Sequence, residues 1–313
     1  MEITPDIKDR IEQLSRKFDA SGQDLLAYLD GLLYSDYIAY WDYLQLDTLL
    51  TLQKPRTPIK DEMIFILYHQ ITELYFKLSR HALQQLIDET GDEIPDLDLF
   101  KRQVGRVNSY FNTLAESFDV MVSGMDKEEF LKFRMALLPA SGFQSGQYRM
   151  IEMMSTDLRL LVHQRDRSKL EDGMPLEGIF PHLYWKSGGI EVRTGSKTLT
   201  LRQFEKKYTP EFVRLAKRMR RHNLRQLYLR LPEAQRDDEL RNLLREYDLN
   251  TSVRWRLAHY RSAVKHLHKD PQDVAATGGT NWMQYLPPKQ QRIVFFPDLW
   301  DEVEMEQWGT KTK

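Results

Sequence analysis

Along most of this chain the apolar side chains recur with the 3.6-residue period of helices rather than the alternation of strands. Ile7, Ile11, Leu14 and Phe18 make a first amphipathic helix. Phe100, Val104, Val107, Phe111, Leu114, Phe118 and Met121 hold an i, i+4, i+7 stripe. Between them, from about Asp61 to Leu86, the pattern predicts a helix apolar around most of its circumference. Its run Met63-Ile64-Phe65-Ile66-Leu67-Tyr68 belongs at the centre of a bundle. Asp126 to Leu138 reads as a short helix stopped by Pro139, and the turn Ala140-Ser141-Gly142 leads into another from about Phe143 to Val162. Further helices fit Pro210 to Leu229, Pro232 to Tyr247 and Asn250 to His268, since proline is tolerated in a first helical turn.

One stretch departs from this habit. Gly189-Ile190-Glu191-Val192-Arg193 and Thr198-Leu199-Thr200-Leu201, joined by a turn at Gly195, have the pattern of a small β-hairpin. Two strands alone are marginal, so it would be a decoration. No repeat and no low-complexity linker divides the chain. The expectation is all-α: one mainly helical domain over residues 1–313, with a flexible tail over about 303–313.

Composition narrows the chemistry. Forty-five Lys and Arg against 46 Asp and Glu leave a net charge of -1, without the positive field that a nucleic-acid binder needs. No run of about 20 apolar residues could span a bilayer, and Met1-Glu2-Ile3-Thr4 does not open a signal peptide, so the expected address is the cytoplasm. There is no cysteine. Disulfides, thiolate nucleophiles and thiolate-ligated metals are excluded, and any transition-metal site must draw on eight histidines and the carboxylates.

Two of those histidines stand out. His69 follows Phe65 by one turn on the most apolar helix, where an imidazole is costly to bury without a partner; the plain alternative is a core histidine bonded to a backbone carbonyl. His259, in Trp255-Arg256-Leu257-Ala258-His259, has the chemistry of a haem or iron ligand, against the alternative of a structural histidine. A di-iron carboxylate bundle needs paired Glu-x-x-His motifs, and none of the eight histidines has Glu three residues before it. His266-Leu267-His268 reads as the polar end of a helix. Arg134 could clamp a carboxylate or simply be solvated. The loop Ala275-Ala276-Thr277-Gly278-Gly279-Thr280 lacks the P-loop lysine but could hold a polar ligand group, or be a plain turn. The basic run from Arg214 to Arg225 fits a solvated helix face or a subunit contact.

Taken together, these segments resemble the tryptophan 2,3-dioxygenase family in the order that family shows. Asp61 to Leu74 is similar to its distal-pocket helix, and Phe133-Arg134 with Leu138-Pro139-Ala140-Ser141-Gly142-Phe143-Gln144-Ser145 and Gln147-Tyr148-Arg149 to its most distinctive block. Trp255-Arg256-x-x-His259 resembles the proximal haem-ligand motif, Thr277-Gly278-Gly279 the loop over the substrate, and Tyr40-x-x-Tyr43-Leu44 a segment entering a neighbouring subunit. The resemblance implies haem b, ferrous in the active form, and cleavage of the indole C2–C3 bond of L-tryptophan by O2 to N-formyl-L-kynurenine. His259 would then be the proximal iron ligand and His69 would hydrogen-bond the indole N–H. Phe65 and Phe118 would line the pocket with Phe130, which replaces a tyrosine found in some members. Arg134 would pair with the substrate carboxylate, Thr277 with its polar end, and Ser141 would lie near the haem edge. Tyr40, Tyr43 and Leu44 would complete a pocket in the adjacent chain of a homotetramer. Two other functions fit the same residues: a haem oxygenase acting on another aromatic amino acid or indole, and a haem-binding sensor without turnover.

Overall fold

The computed structural model describes residues 3–137, 144–191, 194–267 and 287–310. It is all-α, and its backbone divides into two units, Met1–Lys54 and Pro55–Lys313. In the first, α1 (Pro5–Ala20) begins with proline at its first position, where the missing N–H costs nothing. Helix α2 (Leu25–Leu33) is capped by the Asp24 carboxylate, which accepts from Leu26 N at 2.9 Å. Two single turns follow, α3 (Tyr40–Tyr43) and α4 (Leu46–Leu49). None of these four helices contains a buried residue.

The second unit is built on two long helices. Helix α5 (Glu62–Thr90) starts with a buried glutamate that accepts from the backbone N–H of Arg56 and Thr57, both at 2.8 Å, and ends at Gly91 with φ +53°. Helix α6 (Leu97–Ser117) is capped by Asp96, which accepts from Leu99 N at 2.7 Å. Its predicted stripe is fully buried at Phe100, Val104, Val107, Phe111 and Leu114. These side chains share the main core with Phe76, Leu83 and Leu86 of α5.

Shorter helices complete the wall: α7 (Asp119–Val122), α8 (Lys127–Phe133) and α9 (Gly146–Ser155). A 3-10 turn, Arg134–Leu137, follows α8. Gly146 is required where it stands, because a Cβ there would lie 2.5 Å from the Tyr208 ring. After α10 (Leu176–Ile179) come α11 (Leu199–Met219), α12 (Leu224–Arg230) and α13 (Asp238–Leu249). A π-turn, Asn250–Arg254, joins α13 to α14 (Trp255–Leu267).

Two expectations need correction. The β-hairpin expected over Gly189–Leu201 is not seen among the described residues: an isolated bridge joins Ile190 and Lys197, and Thr198 caps α11 by accepting from Leu201 N at 3.2 Å. The apolar residues that follow, Leu201, Phe204 and Phe212, pack at helical spacing into the core, and that burial overrides the alternation at Thr198–Leu201. Pro210 therefore lies inside a helix instead of starting one, at the loss of one backbone hydrogen bond. Of the tail expected over about 303–313, residues up to Thr310 are described. Asp301 and Glu304 form a capping box on the helix Glu302–Glu306, and Trp308 is buried with its ring 4.9 Å from that of Trp300. No helix among the described residues is long and apolar enough to cross a membrane.

Candidate active site

A second, smaller apolar cluster lies where α5, α7, α8 and α14 meet, and Phe65, His69, Phe118, Phe130 and His259 lie in or against it. Its buried members are Tyr68, Phe118, Met121, Met125, Phe130, Phe133, Ala258 and Leu267, with Phe65 and Trp255 packed against them. Helical spacing puts Phe65 and His69 on one face of α5, and their rings lie 4.0 Å apart at 31°. Phe65 continues to Phe130 at 6.2 Å and Phe133 at 5.8 Å. From α14, His259 stacks on Phe118 at 5.8 Å and 26°, and sits 6.0 Å from the Trp255 ring. Tyr68 closes the circuit, 5.3 Å from Phe118 and 6.2 Å from His69.

The two imidazoles are neutral at pH 7. Desolvation pushes the His69 pKa below its ordinary value, opposed by the Phe65 carbonyl and Glu73. Desolvation first, then repulsion from His69, pushes His259 down to about 4. The two side chains are therefore near enough for the charge of one to disfavour that of the other. Both nonetheless keep accessible surface: the His69 side chain is exposed and His259 is half-buried.

His69 Nδ1 lies 2.7 Å from Phe65 O, so in the neutral ring Nδ1–H donates to that carbonyl and Nε2 is left as an acceptor. The backbone partner foreseen for a core histidine is present, but the ring is not packed into a core. His259 has no hydrogen-bond partner among the described residues. In the neutral ring one nitrogen keeps its N–H and the other its lone pair, beside the Phe118 ring.

Arg134 opens the 3-10 turn after α8, directly after Phe133, and is buried with 7% of its surface exposed. Burial lowers its pKa, although a guanidinium remains cationic at any ordinary pH. Tyr40 and Tyr43 belong to the first unit and are 69% and 76% exposed, and Leu44 is exposed beside them. Ser141 and Thr277 lie outside the described residues, as does the turn that contains each.

Some features were not foreseen. His266 is not a polar helix end: it is buried, its Nδ1 lies 2.8 Å from Ser262 O, and its ring meets Phe130 at 5.2 Å. Beneath α14, Arg149, Glu152, Tyr184 and Arg256 form a buried polar network. Its signal was present in the sequence, because Arg149 and Glu152 share a face of α9 and Arg256 precedes His259 by one turn. The basic run is largely engaged within the protein, with Arg218 on Asp88, Lys217 on Glu177 and Arg225 on Asp157 and Asp298.

Fold and site thus define an all-α protein whose chemistry converges on two neutral imidazoles in an aromatic cluster beside a buried arginine. Comparison with known proteins is consistent with this class. Residues 31–171 match the family described as tryptophan 2,3-dioxygenase. A tryptophan 2,3-dioxygenase of a Polaromonas species is 30% identical over 272 residues, covering 85% of this chain and 87% of that protein. One from Pseudomonas fluorescens is 31% identical over 278 residues, 86% of this chain and 92% of its own. One from a Ruegeria species reaches 41% over 119 residues, 38% and 42% of the two chains. The chain belongs to the tryptophan 2,3-dioxygenase family.

Proposed function

We propose that this protein is a haem-dependent dioxygenase that cleaves the indole C2–C3 bond of L-tryptophan to give N-formyl-L-kynurenine, as a step of tryptophan catabolism in the cytoplasm. The observation that carries the proposal is the pair of neutral imidazoles, His69 and His259, within one aromatic cluster.

The residues present fit a haem. Among the described residues no group of three or more His, Asp or Glu could cage a bare metal ion. A single neutral imidazole set against aromatic walls suits an iron whose other ligands come from a porphyrin. His259 would hold that iron, with Phe118 and Trp255 forming an apolar wall beside it. Bound in its ferrous form, haem supplies the activation of dioxygen, which the side chains of this chain cannot provide.

The chain's own groups do the rest. His69 Nε2, held as an acceptor by the Nδ1–H bond to Phe65 O, receives the indole N–H and fixes the ring's orientation. Phe65 and Phe130 offer apolar faces to the indole and exclude water. Arg134 pairs with the substrate carboxylate, Thr277 serves its polar end, and Ser141 belongs to the haem edge. The exposed aromatic segment with Tyr40, Tyr43 and Leu44 completes the pocket of a neighbouring copy in a homotetramer; a run of exposed tyrosines is costly in water unless another surface covers it.

The test is turnover by haem-reconstituted protein with L-tryptophan under isotopically labelled dioxygen. Formylkynurenine carrying both labelled oxygens is expected. Haem uptake with no turnover of L-tryptophan contradicts the assignment.

A further inference from the structure

Helix α14 reaches His259 through a π-turn, and a π-turn is where a helix can change its rotation about its own axis. Among the described residues no hydrogen bond orients the His259 ring, so its direction is inherited from α14 and from packing on Phe118 and Trp255. Most metal-binding histidines are oriented by a partner on the second ring nitrogen.

The turn is fastened at both ends by one hydroxyl. Tyr148 OH donates to Thr251 O, inside the turn, at 2.9 Å and accepts from Arg256 Nε, just beyond it, also at 2.9 Å. The Tyr148 ring also packs 4.8 Å from Trp255. Arg256 Nη2 then donates to Glu152 Oε1 at 2.8 Å and to Tyr184 OH at 2.7 Å. Glu152 is fully buried and holds a second cation, Arg149, at 2.9 Å. The Arg149 guanidinium lies over Trp185 and Tyr184 at 5.1 and 5.3 Å. Two guanidiniums, one carboxylate and two phenols are therefore locked together on α9 and its neighbours, one helical turn before His259.

We propose that Tyr148, Arg256 and Glu152 are positioning residues that set the rotation of α14 and with it the angle at which His259 meets the iron. This rests on the reading of His259 as the haem ligand. The network spans the irregular turn between α13 and the ligand.

The experiment is Tyr148→Phe, which keeps the ring and removes the staple, studied by hydrogen exchange without haem and by the ferrous iron–histidine Raman band with haem. Faster exchange over 251–259, a shifted and broadened band, and roughly 10–100-fold weaker haem retention are expected. Arg256→Lys should give a smaller displacement of the same band. If Tyr148→Phe fails to fold, Glu152→Gln is read in its place by the same signals. A lowered melting temperature with band position, band width and local exchange all as in the parent protein would overturn the inference. Failure of the underlying reading looks different: His259→Ala would then keep the parent haem spectrum, and no iron–histidine band would be seen in the parent.

Discussion

Arg134 has given up most of its hydration: it is buried at the foot of α8, and desolvation already lowers its pKa. A carboxylate reaching it would gain a charge-assisted hydrogen bond in a poorly screened place, worth about 1.5–3 kcal/mol. Arg134→Ala should therefore raise KM for L-tryptophan by roughly 10–100-fold at that energy, with a smaller change in kcat. Steady-state kinetics check this, and an unchanged KM removes Arg134 from the site. At this scale much was legible from sequence. Phe65, His69, Phe118, Phe130 and His259 meet in or against one cluster; helical spacing and apolar context pointed to Phe65 with His69 and to His259, while Phe118 and Phe130 entered as pocket residues through the family resemblance. What the spacing did not carry was tautomer and partner: the Nδ1 bond of His69 and the burial of His266 depend on how neighbouring helices approach.

Among the elements, the segment after α14 is tied back by one buried carboxylate. Asp248, at the end of α13, accepts from Phe295 N at 2.6 Å, Phe296 N at 3.0 Å and Trp300 Nε1 at 3.1 Å. Desolvation outweighs these bonds and raises its pKa to about 7. The protonated form is thus the one the fold favours. The contribution of Asp248 to stability is greatest below the unfolded carboxylate pKa and declines as pH rises through about 7. Asp248→Asn removes that titration but aims an amide at a backbone donor, at a cost of about 1–3 kcal/mol. Denaturant unfolding from pH 4 to 8 should show the deficit of the variant shrinking as pH rises; a deficit independent of pH would contradict the shift. The helices themselves were readable from their stripes. The hairpin was misread because alternation over Thr198–Leu201 is too short to outweigh the helical spacing of Leu201, Phe204 and Phe212. The π-turn had no local signal, since the Tyr148 hydroxyl that bonds Thr251 O within it is more than 100 residues away.

For the whole molecule, the first unit carries an apolar load that it does not bury. Leu33, Tyr34, Tyr37, Tyr40 and Tyr43 are each more than two-thirds exposed. In a homotetramer those side chains would be covered by neighbours, and tyrosines in such positions can each be worth 2 kcal/mol or more, as an order of magnitude. Tyr40→Ala combined with Tyr43→Ala is expected to loosen assembly and raise KM while leaving haem absorption intact. Mass photometry and kinetics check this, and parent-like assembly and turnover would exclude the segment from the pocket. The described part of the C-terminal segment is held by a side chain from elsewhere in the chain. Arg245 lies over the Trp300 ring at 3.9 Å and pairs with Glu304, contacts that no local pattern announces.

The central claim, that His259 carries an iron porphyrin opposite His69, is tested most directly by the visible absorption of haem-reconstituted parent protein and His259→Ala, each shown to be folded by circular dichroism. A histidine-ligated haem spectrum in the parent that is lost in the variant is the predicted result. The same ligated spectrum in both would contradict it.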